Sequence, residues 1–154
     1  MDTSLRSECP VIERPAASYT VGLDRHPALF IQICGPAGRR ELQGIVATAS
    51  TYCLVPRRDV EQLGYSTGPY HRRIALLPEV NLGHALSLIT AGILIEAPIV
   101  RLERVAVGDI VAEDVDAIVY DLPEATGFDM LLGLSFLERF SVTFDFRNAR
   151  LTIA

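Results

Sequence analysis

The stretch GIVATAST, residues 44–51, decides the fold class of this chain. It begins as the end of a strand-like segment, Glu41 to Val46, and changes at once to small and hydroxyl-bearing residues, which is typical of a strand that runs into a turn. An apolar run, Leu29 to Cys34, precedes it across the turn sequence GPAG, residues 35–38. The sequence therefore predicts a β-hairpin here. A phosphate-binding loop would need a Lys-Ser/Thr pair after the second Gly.

Short apolar runs between Gly and Pro residues continue along the rest of the chain, which predicts an all-β domain. A second hairpin is expected around its tip at residues 90–92, and the run from Val100 to Val107 alternates with period two. The other predicted strands are residues 115–120, 130–132, 142–146 and 150–153, with loops at 65–73 and 121–129. Two short helices are predicted, at 58–64 and at 135–140, where Ser135 and Glu138 form a capping-box pattern.

Length, composition and charge limit the class of protein. With 154 residues and 49% apolar residues, the chain can form one domain, which we place at residues 19–154 after an N-terminal arm at 1–18. A net charge of −5 argues against a nucleic-acid partner, and no apolar run reaches the roughly 20 residues of a membrane span. The N-terminus lacks the apolar run of a secretory signal, so a cytoplasmic location is expected.

Metal and disulfide frameworks are not indicated by the spacing of the cysteines and histidines. Cys9, Cys34 and Cys53 are irregularly spaced, and they are interpreted as three thiols. The three histidines show no metal-ligand spacing either. We expect no metal ion and no cofactor.

Three features in fixed order resemble the retropepsin-like aspartic proteases, and the likeness runs from Leu29 to Ile153. The first is residues 44–51, which look like the family's apolar strand followed by Asp-Thr/Ser-Gly-Ala-Ser/Thr. The second is Thr90-Ala91-Gly92, which resembles the tip of the flap over the substrate. The third is Leu131-Leu132-Gly133 with its trailing helix. A generic small β-barrel is the alternative.

The resemblance implies an all-β, closed acid-protease barrel with one short C-terminal helix and one lobe per subunit. It implies a homodimer in which each subunit contributes one catalytic Asp, so that two carboxyl groups near 3 Å apart share a proton and act as base and acid on a water molecule. The two-fold axis supplies the pair from one short chain. The substrate would be a peptide or protein.

This stretch departs from the family pattern at its catalytic position. Ala47 stands where the catalytic Asp belongs, and Ala49 stands where Gly is usual. Thr48 matches the residue that hydrogen-bonds across the dimer axis, and residues Ile89, Thr90, Ala91, Gly92 and Ile93 match the flap that adds an extended peptide as a strand. Ala at position 49 would be strained if the backbone there required a positive φ.

Ala47 removes both carboxyl groups of a symmetric dimer, so the chain is expected to be inactive as written. The difference is typical of an engineered Asp-to-Ala knockout, and a natural pseudoenzyme is the alternative explanation. The alternative function is a non-catalytic dimeric module that binds peptides or partners through the same cleft. A serine hydrolase based on Ser135 is disfavoured, because the second Gly of a nucleophile elbow is missing and no His follows the Ser.

Overall fold

The structure is a computed structural model that describes residues 18–22, 28–67, 71–75 and 94–154. Strands β2 (Ala28–Gly35) and β3 (Gly38–Val46) form the predicted hairpin, with Pro36 and Ala37 alone at its turn. The register pairs Gly35 with Gly38 and Ala28 with Ile45. The hairpin prediction is therefore confirmed.

The remaining elements are short, apart from one long hairpin. They are β1 (Tyr19–Gly22), β4 (Cys53–Val55), α1 (Arg57–Gln62), β5 (His71–Ala75), β6 (Leu94–Val107), β7 (Ile110–Val119), a 3-10 turn (Glu124–Thr126), β8 (Met130–Leu132), α2 (Leu134–Leu137), β9 (Val142–Asp145) and β10 (Arg150–Ile153).

Six strands close into a barrel in the order β2-β3-β8-β4-β7-β6, and β6 returns to pair with β2. The pairs β3–β8 and β4–β7 are parallel, whereas the other neighbours are antiparallel. Strand β5 adds to the outer edge of β6, and β1, β10 and β9 form a separate three-stranded sheet. The prediction of an all-β closed barrel is confirmed.

Alternation along the strands fills the barrel interior. On β2, Leu29, Ile31 and Ile33 are buried while Phe30 points out with 63% of its surface exposed. Helix α2 contributes Phe136, which is fully buried in the same core cluster. Burying such aliphatic and aromatic side chains stabilises the fold by about 1.5–3 kcal/mol each.

Tyr65 joins the two strands at which the barrel closes. Its hydroxyl donates to the carbonyl of Cys34 on β2 and accepts from the amide of Glu103 on β6, both at 2.7 Å. The backbone pairing of β2 with β6 ends at Cys34 and Arg104, so the Tyr65 hydroxyl bridges the two strands just beyond their last pair. Burial raises the pKa of Tyr65 above its usual value, which keeps the hydroxyl protonated.

Tyr65→Phe is expected to lower the free energy of unfolding by about 1–3 kcal/mol, because the carbonyl of Cys34 and the amide of Glu103 each lose a hydrogen bond. The raised pKa of Tyr65 also makes stability depend on pH. The folded protein holds the phenol proton more tightly than the unfolded chain, so the free energy of unfolding falls as pH rises past the unfolded-state pKa near 10. Denaturant titrations at neutral pH and above pH 10 measure both effects. If Tyr65→Phe were as stable as the parent chain at neutral pH, the contribution of the hydrogen bonds would be contradicted. If both proteins lost the same stability above pH 10, the contribution of the Tyr65 pKa would be contradicted.

Several sequence predictions need correction. Residues 71–73, predicted as loop, belong to β5, which pairs with β6 from His71 opposite Pro98 to Ala75 opposite Leu94. Strand β7 begins at Ile110, earlier than predicted. Cys34 is disulfide-bonded and only Cys53 of the described cysteines is free, so the interpretation as three thiols is wrong.

The second helix also differs from its prediction. Helix α2 covers Leu134–Leu137, its N-cap is Gly133, and no side chain caps it. The Ser135 hydroxyl instead accepts from the amide of Cys53, so the capping-box prediction is wrong. Most of the predicted arm, residues 1–17, and the flap residues 89–93 lie outside the described residues. Within the described ranges, no helix has the length and apolarity to cross a membrane.

Candidate active site

Strand β3 ends at Val46, and the chain turns back at residues 47–50. The amide of Ala47 donates to the carbonyl of Leu132 on β8 at 3.0 Å, which continues the parallel β3–β8 ladder by one residue. The amide of Ser50 then donates to the carbonyl of Ala47 at 3.1 Å and closes the turn. Residues 47–50, called the Ala47 turn below, are therefore fixed to β8 at one end and closed on themselves at the other.

The tip of the Ala47 turn faces outward. Ala47 is half-buried, whereas Thr48 and Ala49 are exposed. Among the described non-glycine residues, positive φ occurs only at Asp114 and Ala149. Ala49 therefore lies outside the left-handed region, and the predicted strain at this position is absent because an ordinary backbone conformation tolerates a methyl group.

Gly133 lies under the segment that follows the turn. A Cβ atom built on it would stand 2.2 Å from the carbonyl oxygen of Tyr52 and 2.8 Å from that of Ser50. Its own φ is −93°, so the glycine is required by this close approach and not by a left-handed backbone. The next two amides, Leu134 and Ser135, donate to the carbonyls of Ser50 and Thr51 at 2.8 and 2.9 Å.

Ser50 and Cys53 are buried members of this site that the sequence did not identify. Ser50 is 1% exposed, and its hydroxyl donates to the carbonyl of Tyr52 at 2.7 Å. Cys53 is fully buried, and its sulfur accepts from the amide of Gly133 and the hydroxyl of Ser135, both at 3.4 Å. The sequence could have indicated Ser50 by its hydroxyl side chain next to an apolar strand. For Cys53 the sequence contains no signal beyond its place in a strand.

Burial raises the pKa of Cys53, against the opposing effect of the hydrogen bonds from Ser135 and Gly133. Its thiol is thus protonated at neutral pH and lacks the thiolate that reacts with alkylating agents. We expect iodoacetamide at pH 7.5 to label the Cys53 peptide at least about tenfold more slowly in folded protein than in denaturant. Peptide mass spectrometry measures the two labelling rates. Equal rates in folded and denatured protein would contradict the burial of the Cys53 thiol.

The Ala47 turn presents methyl groups and one hydroxyl. Residues 44–51 contain no carboxyl, imidazole or thiol group, so this turn offers neither a general base nor a general acid. Nor do the described residues include a group of acidic, histidine or cysteine side chains that could hold a metal ion. What the turn can do as it stands is contact another surface.

Carboxyl groups do collect at the far end of β4, around a cavity of about 470 Å³. Two of them are held by the backbone: Asp129 accepts from the amide of Gln43 and Asp121 from that of Arg57, each at 3.0 Å. Burial raises the pKa of a third, Asp59, against the lowering effect of Arg40, and Glu124 is the fourth carboxyl group of the lining. Asp121 and Asp129 therefore fix loop ends, and this cluster lies at the opposite end of β4 from the Ala47 turn.

The structure brings together two of the three sequence features. Ala47, Thr48 and Ala49 follow β3, whereas Leu131 and Leu132 lie on the adjacent β8 and Gly133 ends it. The remaining feature, the flap tip at Thr90-Ala91-Gly92, falls on residues outside the described ranges.

A family model described as "Aspartyl protease" matches residues 31–136, a span that includes both the Ala47 turn and Gly133. The chain belongs to the aspartyl protease family. This family member is also similar in fold to the crystal structure of a retropepsin-like aspartic protease from Rickettsia conorii, with a TM-score of 0.57. The sequence identity is 17%, over 89% of this chain and 90% of that chain. No match to this aspartyl protease family member was found among the curated proteins.

Proposed function

We propose that the chain is one subunit of a homodimeric, retropepsin-like aspartic endopeptidase in which Ala47 occupies the position of the catalytic Asp. As written, it binds peptide and does not cleave it. The observation that carries the proposal is the place of Ala47, at the exit of β3 and hydrogen-bonded to Leu132 directly before Gly133. That place lies inside the part of the chain that the aspartyl protease family matches.

The chemistry of the family explains why position 47 decides activity. Peptide hydrolysis through an activated water molecule needs a base and an acid, and two carboxyl groups that share one proton supply both. An alanine methyl group can neither accept nor donate a proton. In a symmetric dimer one substitution therefore removes both roles at once.

The dimer follows from the same argument. Residues 19–154 form one subunit, which carries one Ala47 turn, and a two-fold axis is required to bring two such turns together. The exposure of Thr48 and Ala49 supports this arrangement, because the turn tip is open to a second copy. Thr48 would then hydrogen-bond across the axis.

The substrate is proposed to be a peptide or protein segment in an extended conformation. Residues 89–93 would cover it as a flap and offer backbone groups to it as an added strand. No cofactor, metal ion or nucleic acid takes part in this proposal. The cytoplasmic location stays a prediction.

One observation favours the alternative, a naturally non-catalytic dimeric module that binds peptides. Abolishing activity by design needs a change at position 47 only, yet position 49 also departs from the family pattern, and Ala49 is accommodated without positive φ. A second, well-tolerated difference is typical of a natural sequence that no longer depends on the glycine usual at that position. Both readings share the dimer and the cleft.

The experiment that tests the proposal is to introduce Ala47→Asp and assay a mixed peptide library by mass spectrometry, after sedimentation has shown the protein to be a dimer. Cleavage that a pepstatin-type transition-state analogue blocks would support the endopeptidase. A dimeric variant that cleaves nothing, beside a parent chain that retains library peptides, would favour the binding module. A monomer at micromolar concentration would overturn both.

A further inference from the structure

The Ser135 hydroxyl both accepts and donates a hydrogen bond within the protein. The Oγ atom accepts from the amide of Cys53 at 3.0 Å and donates toward the Cys53 sulfur at 3.4 Å. The backbone amide of Ser135 donates to the carbonyl of Thr51 at 2.9 Å. One residue at the start of α2 thus binds three groups of Thr51 and Cys53, which follow the Ala47 turn.

These contacts exclude the role of nucleophile. A nucleophilic serine needs a general base in hydrogen-bond contact to take its proton, as a histidine does. The partners of Ser135 are an amide, which cannot accept a proton, and a thiol that burial keeps protonated. The hydroxyl is therefore a structural link.

The link continues from α2 to the Ala47 turn. Leu134, beside Ser135, donates to the carbonyl of Ser50, and the amide of Ser50 closes the turn on Ala47. Ser135 holds the next residues of the same segment, Thr51 and Cys53. Movement of this segment away from α2 would therefore open the turn.

We propose that the Ser135 hydroxyl is a positioning group for the Ala47 turn, fixing the residue at position 47 through the segment 50–53. Its effect on catalysis rests on the proposed function, whereas its effect on the turn does not. Loss of a hydroxyl that only stabilised the fold would destabilise all strands to the same extent. Loss of a positioning hydroxyl would instead loosen the Ala47 turn and leave the other strands unchanged.

The first test uses the protein with Ala47 in place. Amide hydrogen exchange of Ser135→Ala is compared with that of Ser135→Thr, which keeps the hydroxyl, and of Ser141→Ala, an exposed serine just beyond α2. We expect exchange at Ser50 and Cys53 to rise about tenfold in Ser135→Ala alone, with Val105 and Ala112 in the β6–β7 hairpin unchanged. An equal rise at all these amides, or no rise at Ser50, would overturn the proposal.

The second test uses Ala47→Asp as the background. Adding Ser135→Ala is expected to lower kcat about tenfold with KM within about twofold, and Ser135→Thr should restore kcat. A loss that Thr does not restore, or one confined to KM, would contradict positioning. If Ala47→Asp itself is inert, the endopeptidase proposal fails, and the exchange experiment alone then decides the role of Ser135.

Discussion

If the proposed endopeptidase dimer is correct, Ala47→Asp is expected to cleave peptides that the parent chain leaves intact. General acid and general base roles contribute about 10²- to 10⁴-fold each, and one substitution restores both in a symmetric dimer. A gain of at least about 10⁴-fold over the parent chain follows, provided that the two turns face each other. The initial rate of fluorogenic-peptide cleavage at equal dimer concentration measures it.

The pH dependence of this variant has a definite form. Two like carboxyl groups at the axis cannot both ionise easily, so the pair titrates in two steps that belong to the pair. The cleavage rate should rise with pH as the first proton leaves, because one carboxylate must act as base. It should fall at higher pH as the second proton leaves, because the acid is then lost.

Ala47→Asn is the matched control, since it has nearly the size and polarity of Asp without an ionisable group. We expect it to be as inactive as the parent chain. Cleavage by the Asn variant would point to a contaminating protease, whereas an Asp variant with a flat pH profile would argue against a shared-proton pair.

Gly133→Ala is expected to have the largest effect on stability. The added Cβ would stand 2.2 Å from a backbone carbonyl oxygen of Tyr52, and 2.8 Å from that of Ser50. Neither atom is the end of a flexible side chain, so the segment 50–52 or the start of α2 must move. Overpacking typically costs about 1–3 kcal/mol and can cost more. Because two backbone–backbone hydrogen bonds would also be broken, we expect about 4 kcal/mol or a failure to fold.

Gly127→Ala is the matched control for this substitution. Gly127 has a φ of 71° and no atom within 4 Å of its built Cβ, so the variant tests backbone strain without a clash. A loss of about 1 kcal/mol is expected there. Chemical denaturation measures both variants, and a Gly133→Ala protein no less stable than Gly127→Ala would contradict the close approach.

How much of this could be predicted depends on how local the responsible interactions are. The β2–β3 hairpin was predictable because its turn residues, Pro36 and Ala37, lie between the strands they join. Ser135 was misinterpreted as a cap because Glu138 follows it at capping-box spacing. Its true partner, Cys53, lies 82 positions away, and no local pattern reports such a contact.

Charged strands were missed for a related reason. His71-Arg72-Arg73 has no apolar alternation, and it becomes a strand because it pairs with β6. Glu113 and Asp114 conceal the first half of β7 in the same way. In the candidate site, the family pattern identified Ala47 and Gly133. It could not indicate that Ser50 and Cys53 complete the site, because their importance comes from burial.

The β2–β6 pairing also has a consequence for how the chain folds. Its contacts join residues about seventy positions apart, such as Cys34 and Arg104, whereas the β2–β3 and β6–β7 hairpins are local. Closing a long chain segment carries a larger entropy loss than closing a short one, and non-local pairings slow folding. The two hairpins are therefore expected to form early, and the joining of β2 to β6 to be a late and rate-limiting event.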